Sequence, residues 1–276
     1  MNLPAKACLG AGVFLVLSGG LLSLTGLVLG ARTDPYALWG DSVTVVESAA
    51  GAGEQVLPAF SRLDVDLSLG DVTVLTGEDY RVFLDGELAN TLSYGVDGDT
   101  LRVRGNGGEQ EFFSGRGRVS VTLWLPQGTV LEEADIHTGM GQVELEELAA
   151  DILAVENDMG DVTLWEVEAG AARFTLSMGE LRADGLTTGR ALAVENSMGD
   201  VTLEGSFLGE TVCGLDMGDL ELVCREAAEA YDLDARVSMG DLSLNGESQP
   251  AHVARSGGPN TLEVSSGMGD ISLEFG

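Results

Sequence analysis

From Phe60 the chain alternates: Leu63, Val65, Leu67 and Leu69 are apolar, with Asp64, Asp66 and Ser68 between them. Period two over that length predicts a strand with one buried face and one wet face. Gly70-Asp71 interrupts the pattern and Val72 and Val74 resume it, so the glycine marks a corner between two strands. The same phrase then recurs. Its copies are Leu69-Gly70-Asp71, Met140-Gly141-Gln142, Met159-Gly160-Asp161, Met178-Gly179-Glu180, Met198-Gly199-Asp200, Met217-Gly218-Asp219, Met239-Gly240-Asp241 and Met268-Gly269-Asp270. From Gly141 onward the glycines lie 19, 19, 20, 19, 22 and 29 residues apart. A period of that length marks a solenoid, in which each unit buries its apolar edge only by stacking on its neighbours.

These intervals predict an all-β chain wound as a single-stranded β-helix, or β-solenoid, with coils of 19–22 residues. The rival is a sandwich in which each phrase is a hairpin. Met-Gly is not the Asn-Gly or Asp-Gly pair that tight hairpins favour, and the solenoid is preferred. A corner glycine is expected to adopt φ > 0, which a side chain penalises. The neighbouring Asp71, Asp161, Asp200, Asp219, Asp241 and Asp270, with Glu180, are expected to accept hydrogen bonds from turn amides. The preceding methionine is read as an adaptable filler of the core. Asn157 and Asn196, in nearly identical phrases 39 residues apart, point inward under strict alternation. They are expected to bond a neighbouring coil's backbone.

The regular solenoid is placed at 136–276 and a β-rich beginning and cap at 60–135, since end repeats are usually atypical. Residues 32–59 read as a stalk, with a brief strand signal at Val43–Val46. Glu226–Tyr231 is the most helix-like run and reads as an insertion. The two longest intervals hold Gln249-Pro250 and Ser256–Pro259, expected to bulge from the stack as loops where binding determinants could sit.

Ala7–Ala31 changes the picture. It carries no charge over 25 residues, enough to cross a hydrocarbon layer of about 30 Å at about 1.5 Å per residue. Residues 1–31 are therefore read as an N-terminal transmembrane helix, single-pass, with the rest of the chain extracytoplasmic. The alternative is a signal peptide cut after Val28 and Gly30, with secretion of the remainder. The chain has 45 acidic against 14 basic residues and a net charge of −31. Nucleic-acid phosphate would repel it, which excludes DNA and RNA as partners. The acidity reads first as a solvated face and second as a surface for cationic partners.

Little else suggests chemistry. Stacked coils lie about 4.8 Å apart, so a column of corner carboxylates would repel, and Ca²⁺ would relieve that. Dedicated calcium loops carry several ligands each and these corners carry one. They are read as structural caps, with Ca²⁺ a minor alternative and no cofactor expected. His137 and His252 lack the local spacing of a zinc site. No Gly-x-Ser-x-Gly phrase and no phosphate-binding loop is present, so no catalytic residue is assigned. Trp39, Trp124 and Trp165 are the only tryptophans a carbohydrate groove could use. Cys213 and Cys224 fall opposite one another across a corner, as Leu215 and Leu222 do. A disulfide or a pair of buried thiols would fit the two cysteines.

Phe60–Val74, Val121–Thr129 with its Leu-Pro-x-Gly-Thr phrase, and the Met-Gly-Asp repeats through Ile271 resemble DUF4097, a family of adhesin-like β-strand repeat proteins of the bacterial envelope. The resemblance covers about three quarters of the chain. It implies a β-helical extracytoplasmic domain, often near envelope-stress systems, with no enzymatic residues to carry over. The expected role is a membrane-anchored binding or scaffold module whose partner is an envelope protein or a cell-wall component. An accessory in envelope-stress signalling and a polysaccharide-processing enzyme are the alternatives.

Overall fold

The computed structural model describes residues 53–105 and 119–276. Two parallel sheets form, joined at the glycine corners, and each turn of chain adds one strand to both. Ala149–Met159 pairs in parallel with Glu168–Met178, nineteen residues on, and Val162–Trp165 pairs in the same offset with Leu181–Asp184. Leu181–Met198 serves both sheets: its first part lies beside Val201–Phe207, and its second beside Glu210–Met217. The all-β reading and the serial coils are therefore as the repeat predicts. The expected anchor at 7–31 and the strand signal at 43–46 lie outside the described residues. Among the described residues no helix is long and apolar enough to cross a membrane.

Inward positions stack into columns. Val103, Val65, Ile136, Val155, Phe174, Val194, Cys213 and Val264 succeed one another in register in the first sheet, and all are buried. Leu123, Val74, Leu145, Leu164, Ala183, Leu203, Leu222 and Leu273 do the same in the second. Phe174 shares its turn with Ala172 and Ala183, small residues that leave room for the ring at native packing density. Asn157 and Asn196 point inward as predicted, and each donates through Nδ2 to a corner glycine carbonyl of the neighbouring coil: Gly141 at 2.9 Å and Gly179 at 3.0 Å.

Chain order and spatial order part company at both ends. Arg62–Leu67 and Asp71–Gly77 come first in the sequence but sit inside the stack, between Thr100–Gly105 with Ser120–Pro126 on one side and Val130–Thr138 with Val143–Glu146 on the other. At the far end Asn260–Met268 and Ile271–Phe275 come last yet slot between Glu210–Cys224 and the outermost coil, Tyr231–Val237 with Leu242–Leu244. Antiparallel strands then close each end. Leu92–Asp97 and Arg81–Asp85 cover one end, and His252–Arg255 and Glu247–Gln249 the other. Short strands carrying charge blunt edges that would otherwise recruit another chain.

Three expectations are corrected here. Gly53–Val56, inside the predicted stalk, is a strand paired with Arg81–Asp85. The long interval before Gly269 is not mainly a bulging loop, because residues 247–249 and 252–255 are the capping strands. The helix-like run is reduced to one short 3₁₀ turn, Ala228–Ala230.

The corners hold the stack in register. Gly141, Gly160, Gly179, Gly199, Gly218, Gly269 and Gly240 have φ between +131° and +151°, and a Cβ on each would overlap the carbonyl oxygen of the glycine in an adjacent coil. Gly179→Ala combines that overlap with left-handed strain and should cost several kcal/mol, on the order of 1–3 from each source. Gly98, also at positive φ, has open space around it, so Gly98→Ala carries the backbone cost alone. Urea unfolding should therefore show a much larger midpoint loss for Gly179→Ala; equal losses would mean the glycine column is not a packing constraint.

Candidate functional site

The corners present three adjacent columns along one edge: methionine, with Leu69 in the first copy; glycine; and an acidic residue, with Gln142 in the second. The backbone knits them together. Gly141 N–H donates to Met159 O, Gly160 to Met178, Gly179 to Met198, Gly199 to Met217, Gly218 to Met268 and Gly269 to Met239, at 2.9 to 3.0 Å. That sequence of partners restates the spatial order, with the coil of Gly269 between those of Gly218 and Gly240.

The aspartates do accept hydrogen bonds from corner amides, but the amides belong to the next coil. Asp71 Oδ1 accepts from Gln142 N–H, Asp161 from Glu180, Asp200 from Asp219, Asp219 from Asp270 and Asp270 from Asp241, at 2.8 to 3.0 Å. Gln142 and Glu180 occupy the same position with one more methylene, and no side-chain bond from them reaches the amides of Asp161 or Asp200. The acceptor role was legible in the residue type; its direction followed only from the stacking register. From Asp161 outward the acidic side chains Asp161, Glu180, Asp200, Asp219, Asp270 and Asp241 are exposed, a continuous anionic rail.

The methionines are not core. Met159, Met178, Met198, Met217, Met268 and Met239 are 43% to 58% exposed, and Met140 is half-buried. They sit immediately before the corner, where the chain turns outward. Alternation from the strand, carried one residue too far, had placed them inside.

Register also gathers a group that local spacing hid. His137 aligns with Glu156, and Asp158 follows two residues later on the same outward face. Ligand atoms of the three lie within 4.8 Å of one another, and Asp66 Oδ1 lies 3.2 Å from His137 Nδ1. Borderline or hard divalent ions accept such donors. Of the described groups this is where an ion could be held by histidine and carboxylate together. A search for histidine and acid at the coil period, not within one loop, would have found it. Asp135 stands nearby with its carboxyl raised above the usual range, first by partial removal from water and then by Asp64, Glu133 and Glu156. His252 lies apart, against Asp234 at 3.2 Å.

Cys213 and Cys224 are both buried free thiols, so the bridge considered from their opposition is not made. Burial pushes each thiol up to about 12, which withholds the thiolate that disulfide exchange requires. Beside them the Glu226 carboxylate accepts hydrogen bonds from the hydroxyls of Ser206 and Tyr231. Partial burial pushes this carboxyl up, but these bonds and those from the backbone of Glu226 and Phe207 together hold it below the usual range. Of the described tryptophans, Trp165 is exposed and Trp124 half-buried. Trp165 lies in register between Glu146 and Asp184.

Parallel coils stacked on a cornered edge make the described residues a β-repeat protein. Residues 60–274 match the Toastrack DUF4097 family model, and the chain belongs to that family. Among solved structures it is similar to a Bacteroides fragilis protein provisionally called an adhesin, at 14% identity and TM-score 0.37, over 81% of this chain and 95% of that one. It is similar as well to a Clostridium sporogenes protein provisionally assigned to cell adhesion, at 12% identity and TM-score 0.28, over 81% and 98%. A Parabacteroides distasonis protein, also provisionally an adhesin, matches at 13% and 0.29 over 81% and 95%. No curated protein matches the chain.

Asp200→Ala removes an acceptor from Asp219 N–H and should cost about 1–2 kcal/mol in urea unfolding, the range of a lost charge-assisted cap. Asp200→Asn keeps Oδ1 and should recover most of it; equal losses would show that charge, not the acceptor, is what the corner needs. For the cysteines, peptide mapping after treatment with iodoacetamide at about pH 8, where an ordinary thiol near 8.5 reacts, should find Cys213 and Cys224 unmodified in the native protein and labelled after unfolding. A mass lower by two hydrogen atoms across that pair in oxidised protein would instead establish the bridge.

Proposed function

We propose that this chain is a membrane-anchored, extracytoplasmic binding and scaffold module, adhesin-like and without catalytic activity. The uncharged stretch Ala7–Ala31 supports the anchor. A net charge of −31 supports a partner with cationic groups, whether an envelope protein or a cell-wall component. The single observation that carries the reading is the anionic rail: exposed carboxylates repeat at the strand spacing on a backbone whose register is locked by glycine. A rigid, repeated array meets an extended partner with little ordering cost on its own side. Backbone stacking supplies the rigidity, and the outward residues supply recognition.

The test uses the full-length chain in membranes. It should sediment with the membrane fraction, retain its N-terminal segment by mass, and expose residues 60–276 to protease added outside the cell; a chain that stays in the cytosol removes the reading. Binding to isolated envelope and cell-wall fractions should weaken at least tenfold from low salt to about 0.5 M, because exposed charges are screened over a few ångströms there. Asp200→Asn with Asp219→Asn, which preserves the amide caps, should weaken it likewise. Binding indifferent to both changes would exclude the rail as the docking face.

A further inference from the structure

The methionine column raises a separate question. At the position before the corner, seven coils in spatial succession carry methionine: Met140, Met159, Met178, Met198, Met217, Met268 and Met239. Beyond Met140, at the start of the column, the same position holds Leu69, so the fold accepts a branched aliphatic side chain there. Neighbouring coils differ freely at other outward positions; Glu156, Thr175 and Glu195 align in one row and Thr163, Arg182 and Thr202 in another. A greasy cover over the corner amides would be met by leucine, valine or isoleucine as well as by methionine. What only methionine adds is the thioether.

We propose that this column is a binding site for soft monovalent cations, Cu(I) or Ag(I), held between thioether sulfurs of successive coils. Met159 and Met178, Met198 and Met217, and Met217 and Met268 are paired directly in register. Their backbones therefore stand about 4.8 Å apart, and flexible unbranched side chains on such neighbours can bring two sulfurs onto one ion. Thioethers select Cu(I) over the hard and borderline divalent ions. Exposure of roughly half of each side chain leaves the sulfurs reachable from water. Two residues along the chain, the carboxylates of Asp161, Glu180, Asp200, Asp219, Asp270 and Asp241 supply the negative potential that draws a cation to this edge and offsets its charge. Among the described residues no competing thiol faces the same water, since Cys213 and Cys224 are buried. The step is ligand exchange alone: water leaves the ion, thioether lone pairs replace it, and no electrons move. This reading goes beyond the docking role and does not depend on it.

Ag(I) is the probe, because it needs no reductant. In the full-length protein labelled at the methionine methyl carbons, adding Ag(I) should shift the resonances of the column methionines, while Zn²⁺ at the same concentration should leave them in place. The variant Met178→Leu, Met198→Leu, Met217→Leu preserves volume and should lose at least tenfold in Ag(I) affinity by chelator competition, with an unchanged circular dichroism spectrum. Asp200→Asn should weaken it only a few-fold. Methyl resonances unmoved by Ag(I) would overturn the proposal, and so would undiminished affinity in the folded leucine variant. Should that variant not fold, the methyl shifts of the native protein still decide. Salt-insensitive envelope binding with normal Ag(I) shifts would remove the docking role and leave this one standing.

Discussion

Everything in this molecule rests on how closely successive corners approach. The carbonyl of one corner glycine occupies the space that a Cβ on its neighbour would need, so the corner tolerates no side chain from Gly141 to Gly240. Close approach lets each glycine N–H reach the methionine carbonyl of the adjacent coil, and lets inward Asn157 and Asn196 reach glycine carbonyls. One coil thus sets the register of the next. A slip by one residue would turn every inward side chain outward, and the glycine column makes such a slip sterically impossible as well as hydrophobically costly.

That constraint also explains how the chain can leave sequence order at its ends without losing regularity. Asn260–Phe275 enters between two coils already adjacent in sequence, and it can do so because its own Met268-Gly269-Asp270 corner offers the same donors and acceptors as any other. The unequal intervals of 22 and 29 residues are the trace of this excursion: the chain goes out to the last coil, lays two antiparallel strands over its edge, and returns. Arg62–Gly77 does the mirror of this at the other end.

Periodicity made the coils, their corners and the inward asparagines legible, because each depends on residues close in sequence or exactly one period apart. Spatial order at the ends was not legible, since identical corners are interchangeable and nothing local ranks them. The methionines were misplaced because a period-two pattern has no marker for where the strand stops and the bend begins. His137, Glu156 and Asp158 were missed for a different reason. They meet across coils, and a ligand set read within single loops never compares positions nineteen residues apart. Cys213 and Cys224 are free and buried, and opposition across a corner does not by itself specify whether two thiols are joined.

A column of like charges at the strand spacing invites the objection that it must destabilise the fold. Two unit charges about 4.8 Å apart in water repel by roughly 0.9 kcal/mol, less once salt screens them. Each aspartate that accepts an amide hydrogen bond gains about 1.5–3 kcal/mol from the charge-assisted contact. The bond exceeds the repulsion, so the capped aspartates are stable where they are. Gln142 and Glu180 are the revealing exceptions. Both are too long to cap the next amide; Gln142 is also uncharged, so it adds no repulsion, whereas Glu180 keeps its charge without the compensating bond. Structural need alone accounts for aspartate at Asp71, Asp161, Asp200, Asp219 and Asp270, but not for the acid at Glu180 or for Asp241, which has no further corner to cap. Those two extend the anionic rail with no return in hydrogen bonding, so its length is not set by the capping of corner amides alone.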